Sequence, residues 1–146
     1  MVTMSSSSVL SLLLFCLLPS SSLSLRLHSV AVPSFAETGS DVIFSCNYSY
    51  TETDKQELDI KWYLDDSPSP FLVWVPHQKR RPQIVGDKFR SHIDTSFSTG
   101  HDEYKLHSHI LIRNVTPDMA GIYTCKVATF TQEQYLSQRI VVYGEF

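Results

Sequence analysis

Charge is scarce in this chain and absent from its first 24 residues. Asp, Glu, Lys and Arg make up 18% of the 146 residues, below the usual quarter, and the formal net charge is only -3. So mild a balance supplies no general field for drawing in nucleic acid or an acidic membrane. Beyond residue 24 no apolar stretch reaches membrane length, no segment sustains a helical period, and no internal repeat is visible. No Ser-His-Asp pattern, no paired acids and no phosphate loop stand out. An enzyme is therefore the least supported reading, and no cofactor is called for. What is present is a hydrophobic fraction of 42% and an aromatic fraction of 12%, enough for the core of one ordinary domain and too much for disorder.

The uncharged N-terminus reads as a targeting segment. Val9 to Leu18 is an apolar run of signal-peptide length, too short to cross a bilayer as an uncleaved anchor. Pro19 and a small-residue stretch follow, and cleavage after Ser22 or Ser24 fits the small-x-small rule. The region Met1 to Ser8 departs from the usual pattern, since only the α-amino group is positive there. These features predict a signal peptide over 1–24, a domain over 25–143 and a short tail over 144–146. The expected location is secreted or on the extracellular face of the plasma membrane. Of three cysteines, Cys16 lies in the apolar run, which leaves the even pair Cys46 and Cys125. A disulfide between them requires an oxidising compartment.

The rest of the chain is short, β-rich segments broken by turn residues about every ten positions, the pattern of a sandwich. Expected strands are Ser29 to Val32, Asp41 to Cys46, Leu58 to Leu64, Phe71 to Val75, a weaker Lys88 to Ile93, Tyr104 to Ile112, Ile122 to Ala128, and Ser137 to Tyr143. Val42, Phe44 and Cys46 alternate toward one face, as do Leu58, Ile60, Trp62 and Leu64. The fold class is all-β, two antiparallel sheets packed face to face.

Cys46, Trp62 and Cys125 occur in that order, and Asp118-Met119-Ala120-Gly121-Ile122-Tyr123-Thr124-Cys125 closes the series. This resembles the D-x-[AG]-x-Y-x-C signature of the immunoglobulin superfamily, over about Val30 to Tyr143. The resemblance implies a disulfide between Cys46 and Cys125 through the core, with Trp62 packed against it and Tyr123 as a tyrosine corner. Gly121 would let the chain turn tightly into its strand. Asp118 would pair with Lys88 or Arg90, Lys88 being favoured. The 79-residue separation of the cysteines leaves room for the extra strands of a V-type domain. The F-G-x-G bulge signal of antigen-receptor domains is missing from Gln134 to Arg139, which speaks against antibody-style or T-cell-receptor-style pairing. Lys61-Trp62-Tyr63, Phe71 to Pro76 and Gly121-x-Tyr123-x-Cys125 also resemble the first domain of the arthropod beaten-path family of neuronal cell-surface recognition proteins. That family usually adds further C-terminal sequence, so this chain reads as a fragment or a short isoform.

Candidate sites follow from strand parity. With Trp62 inward, Lys61 and Tyr63 point out, and with Cys125 inward, Lys126 points out. Trp74, Phe130 and Tyr135 lie on neighbouring strands or loops. Aromatic anchors beside cations are what protein interfaces favour, so these six residues form the expected partner-binding set. Asn47 (Asn47-Tyr48-Ser49) and Asn114 (Asn114-Val115-Thr116) head two N-glycosylation sequons. His107 and His109 could share one ion on a strand face, but no third ligand is spaced for it. They read as outward, solvated histidines, and no metal site is predicted. Lys79-Arg80-Arg81 is a basic run suited to a weak glycosaminoglycan contact, or else a solvated loop. The acidic loop from Glu52 to Glu57 is expected at the same end of the domain. The leading functional reading is an extracellular binding module in cell adhesion or cell-surface recognition. Its partner would be a second immunoglobulin-like domain or the chain itself. The alternative is a secreted soluble ligand, decoy or immune effector.

Overall fold

The structure, a computed structural model, describes residues 24–145. Residues 1–23 of the predicted signal segment, Cys16 among them, lie outside the described residues. Among the described residues nine strands are formed: β1 (Arg26–Ala31), β2 (Phe35–Glu37), β3 (Val42–Ser49), β4 (Asp59–Leu64), β5 (Leu72–Trp74), β6 (Gln83–Ile84), β7 (His109–Ile112), β8 (Gly121–Ala128) and β9 (Glu133–Tyr143). They build a three-stranded sheet, β1-β3-β7, and a six-stranded sheet, β2-β9-β8-β4-β5-β6. All pairings are antiparallel except that of β2, which runs parallel to β9. The extra pair β5 and β6 beyond β4 gives the V-type form of the sandwich.

Period-two alternation builds the core. Val42, Phe44, Cys46 and Tyr48 of β3 face Ile60, Trp62, Tyr123, Cys125 and Val127 of the larger sheet, and all are buried. Cys46 and Cys125 are bonded across the two sheets with Cα atoms 6.3 Å apart. Closing a loop of 79 residues contributes on the order of 4–5 kcal/mol in the chain-entropy account. Trp62 stands opposite Cys125 in the β4–β8 ladder, so its indole flanks the bridge. Phe44 packs its ring 5.7 Å from that of Trp62 and 4.6 Å, edge-on, from that of Tyr123. The Tyr123 hydroxyl donates to the Met119 carbonyl at 2.5 Å. Two glutamines of β9 close the gap between the sheets at one side. Gln134 accepts from the Leu27 N–H at 2.6 Å and donates to the Leu25 carbonyl at 3.1 Å, and Gln138 accepts from the Val32 N–H at 2.8 Å.

The structure corrects two expected strands. Lys88 to Ile93 is a series of turns, and only Ile93 forms a bridge, to Ile112. Its buried residues, Phe89 and Ile93, are four apart, which is the spacing of a helical turn, and the Ile93 N–H donates to the Phe89 carbonyl at 3.0 Å. Tyr104 to Ser108 is likewise turned, and the strand begins only at His109. The Asp102 carboxylate accepts the Tyr104 N–H at 2.9 Å, and the Lys105 N–H bonds back to the Asp102 carbonyl at 2.9 Å, so the local Asp wins over the ladder. In contrast, β9 starts four residues earlier than the sequence suggested. It keeps one register against β8 from Gly121–Ile140 to Ala128–Glu133, with no bulge.

Gly121 sits at φ 150°, and a Cβ there would lie 2.5 Å from Asp65 Oδ1. That carboxylate accepts the Ile122 N–H at 2.9 Å, while the Asp65 N–H donates to the Ile122 carbonyl at 2.7 Å. Gly121→Ala is expected to cost about 2–3 kcal/mol in urea unfolding with the disulfide intact, against about 1 kcal/mol for Gly100→Ala. Gly100 also has positive φ but faces open space. Equal losses at the two positions would rule out the Asp65 clash as the cause.

Candidate functional site

The outer face of the six-stranded sheet carries most of the predicted binding residues. Pairing sets one row across it: Val73 of β5, Lys61 of β4, Lys126 of β8 and Tyr135 of β9. The next row holds Tyr63, Thr124 and Ser137, the last two joined by a 2.6 Å hydroxyl contact. The Lys126 ammonium lies 5.5 Å from the Tyr63 ring centroid and 3.8 Å from a Glu133 carboxylate oxygen. Two lysines side by side are thus offset by an aromatic face and an acid.

Phe130 lies at the tip of the β8–β9 hairpin. The Thr129 N–H donates to the Gln132 carbonyl at 2.8 Å and the Gln132 N–H to the Thr129 hydroxyl at 3.2 Å, so the turn is closed twice. Its apex leaves Phe130 83% exposed, while Tyr135 on the adjacent strand is 64% exposed. Phe35 and Tyr143 are also exposed, at 69% and 53%, but Tyr135 alone of these aromatics stands in register with the two lysines.

Trp74 does not belong to this face, a correction to the sequence reading. It pairs with Ile60, which shares the inward parity of Trp62, and it is only 3% exposed. Its ring meets the His107 imidazole edge-on at 5.2 Å. Phe71, at the start of the same segment, is buried too and stacks on Phe89 with ring centroids 4.2 Å apart. Nor do His107 and His109 share a strand face. His107 Nδ1 bonds the Phe97 carbonyl at 2.9 Å from within a turn, whereas His109 Nδ1 lies 3.2 Å from the hydroxyls of Thr99 and Ser108. Among the described residues no group of three His, Cys, Asp or Glu is placed to hold a metal ion.

Asp118 meets Lys88 at 3.8 Å, but its nearer partner is the Thr116 hydroxyl. That hydrogen bond, and more weakly Lys88, hold its carboxyl below the usual carboxylate range. Asn47 is exposed on the outer side of β3, and Asn114 is exposed in the turn after β7 at φ 55°. Lys79, Arg80 and Arg81 are exposed in the β5–β6 connection. In the Glu52–Glu57 loop, Asp54 is buried and accepts the Thr51 N–H at 2.7 Å, which withdraws it from any partner.

Asp59 lies on the outer face beside Ala128, and its Oδ1 is buried without a hydrogen-bond partner among the described residues. Burial, opposed by Lys61 and Lys126, raises its pKa above the usual carboxylate value. An acid with a raised folded pKa destabilises the folded state once pH exceeds the unfolded value of about 3.9. Asp59→Asn is therefore expected to raise the urea midpoint at pH 7. That gain should shrink as pH falls through about 3.9 and vanish below about pH 3, where Asp59 is neutral in both states. A gain that persisted in acid would refute burial of the charge as its cause. Trp74→Ala is expected to cost about 3–5 kcal/mol of stability as a core deletion, while Tyr135→Ala stays within about 0.5 kcal/mol. Matching unfolding curves for the two variants would contradict the placement of Trp74.

Three comparisons bear on this arrangement. The family model described as the immunoglobulin V-set domain matches residues 30–143. Among solved structures, the crystal structure of the human B7-H4 IgV-like domain superposes with a TM-score of 0.54 at 12% sequence identity, covering 82% of this chain and 96% of that one. At that identity the likeness shows the fold alone. The search of curated protein sequences returned no match. Among the described residues no helix is long and apolar enough to cross a membrane. V-set domains are typically extracellular modules that bind protein partners, and by the matched region, the inter-sheet disulfide and the strand order, this chain belongs to the immunoglobulin V-set family.

Proposed function

We propose that this protein is an extracellular recognition module that binds a protein partner, a second immunoglobulin-like domain or another copy of itself, through the outer face of its six-stranded sheet. The observation that carries the reading is that Tyr135, largely in water, stands in register with the Lys61–Lys126 pair, with Phe130, also largely in water, at the tip of the same hairpin. Phe130 and Tyr135 supply apolar area with little rotamer entropy to lose, and the lysines choose a partner by charge. A face of this kind buries about 800 Å² per partner in a standard interface. Such contacts are weak singly and gain by multivalent display on a cell.

The positions of the sequons support the same face. Asn47 projects from the opposite sheet, and Asn114 follows the last strand of that sheet. Glycans at both would shield the three-stranded side of the sandwich and leave the Tyr63, Lys126 and Tyr135 surface bare. Adhesion or recognition at a cell surface, as the beaten-path resemblance implies, is the context in which this arrangement has a use.

The test is binding of the pentamerised protein to itself and to a panel of cell-surface ectodomains. Phe130→Ala and Tyr135→Ala are each expected to weaken the captured interaction by about tenfold or more with unfolding unchanged. Retention of full binding in both variants would place the contact elsewhere.

A further inference from the structure

The turn leaving β5 contains three cations in sequence, and among the described residues none of Lys79, Arg80 or Arg81 makes a salt bridge. They are held in a defined shape. Pro76 is buried at the start of the turn, Lys79 takes φ 55° with its N–H on the Pro76 carbonyl at 3.0 Å, and Pro82 is buried just after Arg81. Facing them across a cleft of about 260 Å³ are Glu103, Leu106 and His107, with Trp74 and Pro76 at its base. A second, far smaller depression of about 20 Å³, bordered by Val73, Val75, Gln78 and Gln83, shares Arg80 and Arg81 with the first. The two arginines therefore border both hollows and join them into one track.

We propose that this track, from the cleft beside His107 over Arg80 and Arg81 to Gln78 and Gln83, binds an extended sulfated polysaccharide. The cations match sulfate groups, and guanidinium forks bind such oxygens bidentately. The remaining groups select a sugar over a merely acidic chain. Glu103 repels anions but accepts hydroxyl protons. His107 must donate from Nδ1 to the Phe97 carbonyl, and burial, with Arg81 nearby, lowers its pKa, so the neutral ring offers Nε2 as an acceptor. Two acceptors and three cations around an apolar base fit a ligand that has both hydroxyls and sulfates. The cleft of about 260 Å³ takes the sugar, and the arginines it shares with the smaller depression carry positive charge beyond it, along the path of an extended chain. The track reaches the outer sheet face at Gln83, which pairs with Val73 at the end of the Lys61–Lys126–Tyr135 row, but it includes none of Phe130, Tyr135, Lys61 or Lys126, so separate substitutions distinguish failure of this proposal from failure of the protein-binding reading.

The experiment measures binding of the whole secreted protein to a heparin octasaccharide, to the same octasaccharide after desulfation, and to a polyglutamate peptide of equal charge. Micromolar binding to the sulfated sugar is expected, with at least about tenfold loss on desulfation and on the double change Arg80→Ala with Arg81→Ala. Both arginines are exposed, so the variant is expected to keep the parent's unfolding midpoint. Glu103→Ala and His107→Gln test the hydroxyl contacts and should each weaken the sugar without weakening polyglutamate. Arg139→Ala, which removes an exposed cation of β9 outside the track, should leave binding unchanged. Equal binding of polyglutamate would overturn the proposal in favour of an acidic protein segment. An equal loss with Arg139→Ala would reduce it to diffuse charge attraction.

Discussion

The covalent tie between Cys46 and Cys125 is the constraint on which the remaining structure depends. The smaller sheet has only three strands, and its outermost pairing on the β7 side beyond Ile112 dwindles to one bridge from Ile93. Such a sheet cannot hold itself flat against six strands by edge pairing. It is held through its middle, where β3 delivers Cys46 between Phe44 and Tyr48, each inward by alternation. Trp62 and Tyr123 fill the space on either side of the bridge from the larger sheet. With the two layers fixed at one point, the glutamine side chains of β9 need only close the margin beside β1.

The sequence was most readable where one strand has one wet and one dry face. Alternation in Val42-Ile43-Phe44-Ser45-Cys46 and in Ile60-Lys61-Trp62 sets the burial of each residue without any knowledge of its neighbours. It failed where position depends on a partner. Trp74 lies inward because it stands opposite Ile60, and register between two strands is not written in either alone. Tyr104, Leu106 and Ser108 alternate like a strand, yet Asp102 two residues ahead of Tyr104 takes its N–H and turns the chain, and the Tyr48 hydroxyl then binds the Tyr104 carbonyl. The Asp before the segment was the available signal, since Asp competes with the backbone ladder. The spacing of Phe89 and Ile93 was another. Phe35–Glu37, only three residues long, offered too little pattern to be seen. The inter-sheet role of Gln134 and Gln138 had no local mark beyond two amides four residues apart on one strand face.

Of the candidate site, Lys61, Tyr63 and Lys126 could be placed by parity counted from Trp62 and Cys125, because those two residues fix which way their strands face, whereas Phe130 and Tyr135 could be assigned only to a neighbouring strand or loop. The cleft beside His107 could not. It is assembled from the β5–β6 turn and from a stretch whose backbone the sequence pattern misrepresented. Basic residues were visible in the run Lys79-Arg80-Arg81, but the Trp74 base and the opposing Glu103 were supplied by tertiary folding. Strand β5 contributes to both surfaces, Val73 to the outer sheet row and Trp74 to the base of the cleft, by the alternation of its side chains.

The hairpin beneath Phe130 has a further consequence for how such a domain diversifies. Only Phe130 and Thr131 lie between the bonded residues Thr129 and Gln132, and the ladder below them runs without a bulge. A connection this short has little slack, so it enters a complex with little entropy left to lose. The same stiffness denies it the length variation by which long loops explore new ligands. Replacing the side chain at position 130 or 131 therefore changes what the apex presents without changing the direction in which the hairpin presents it.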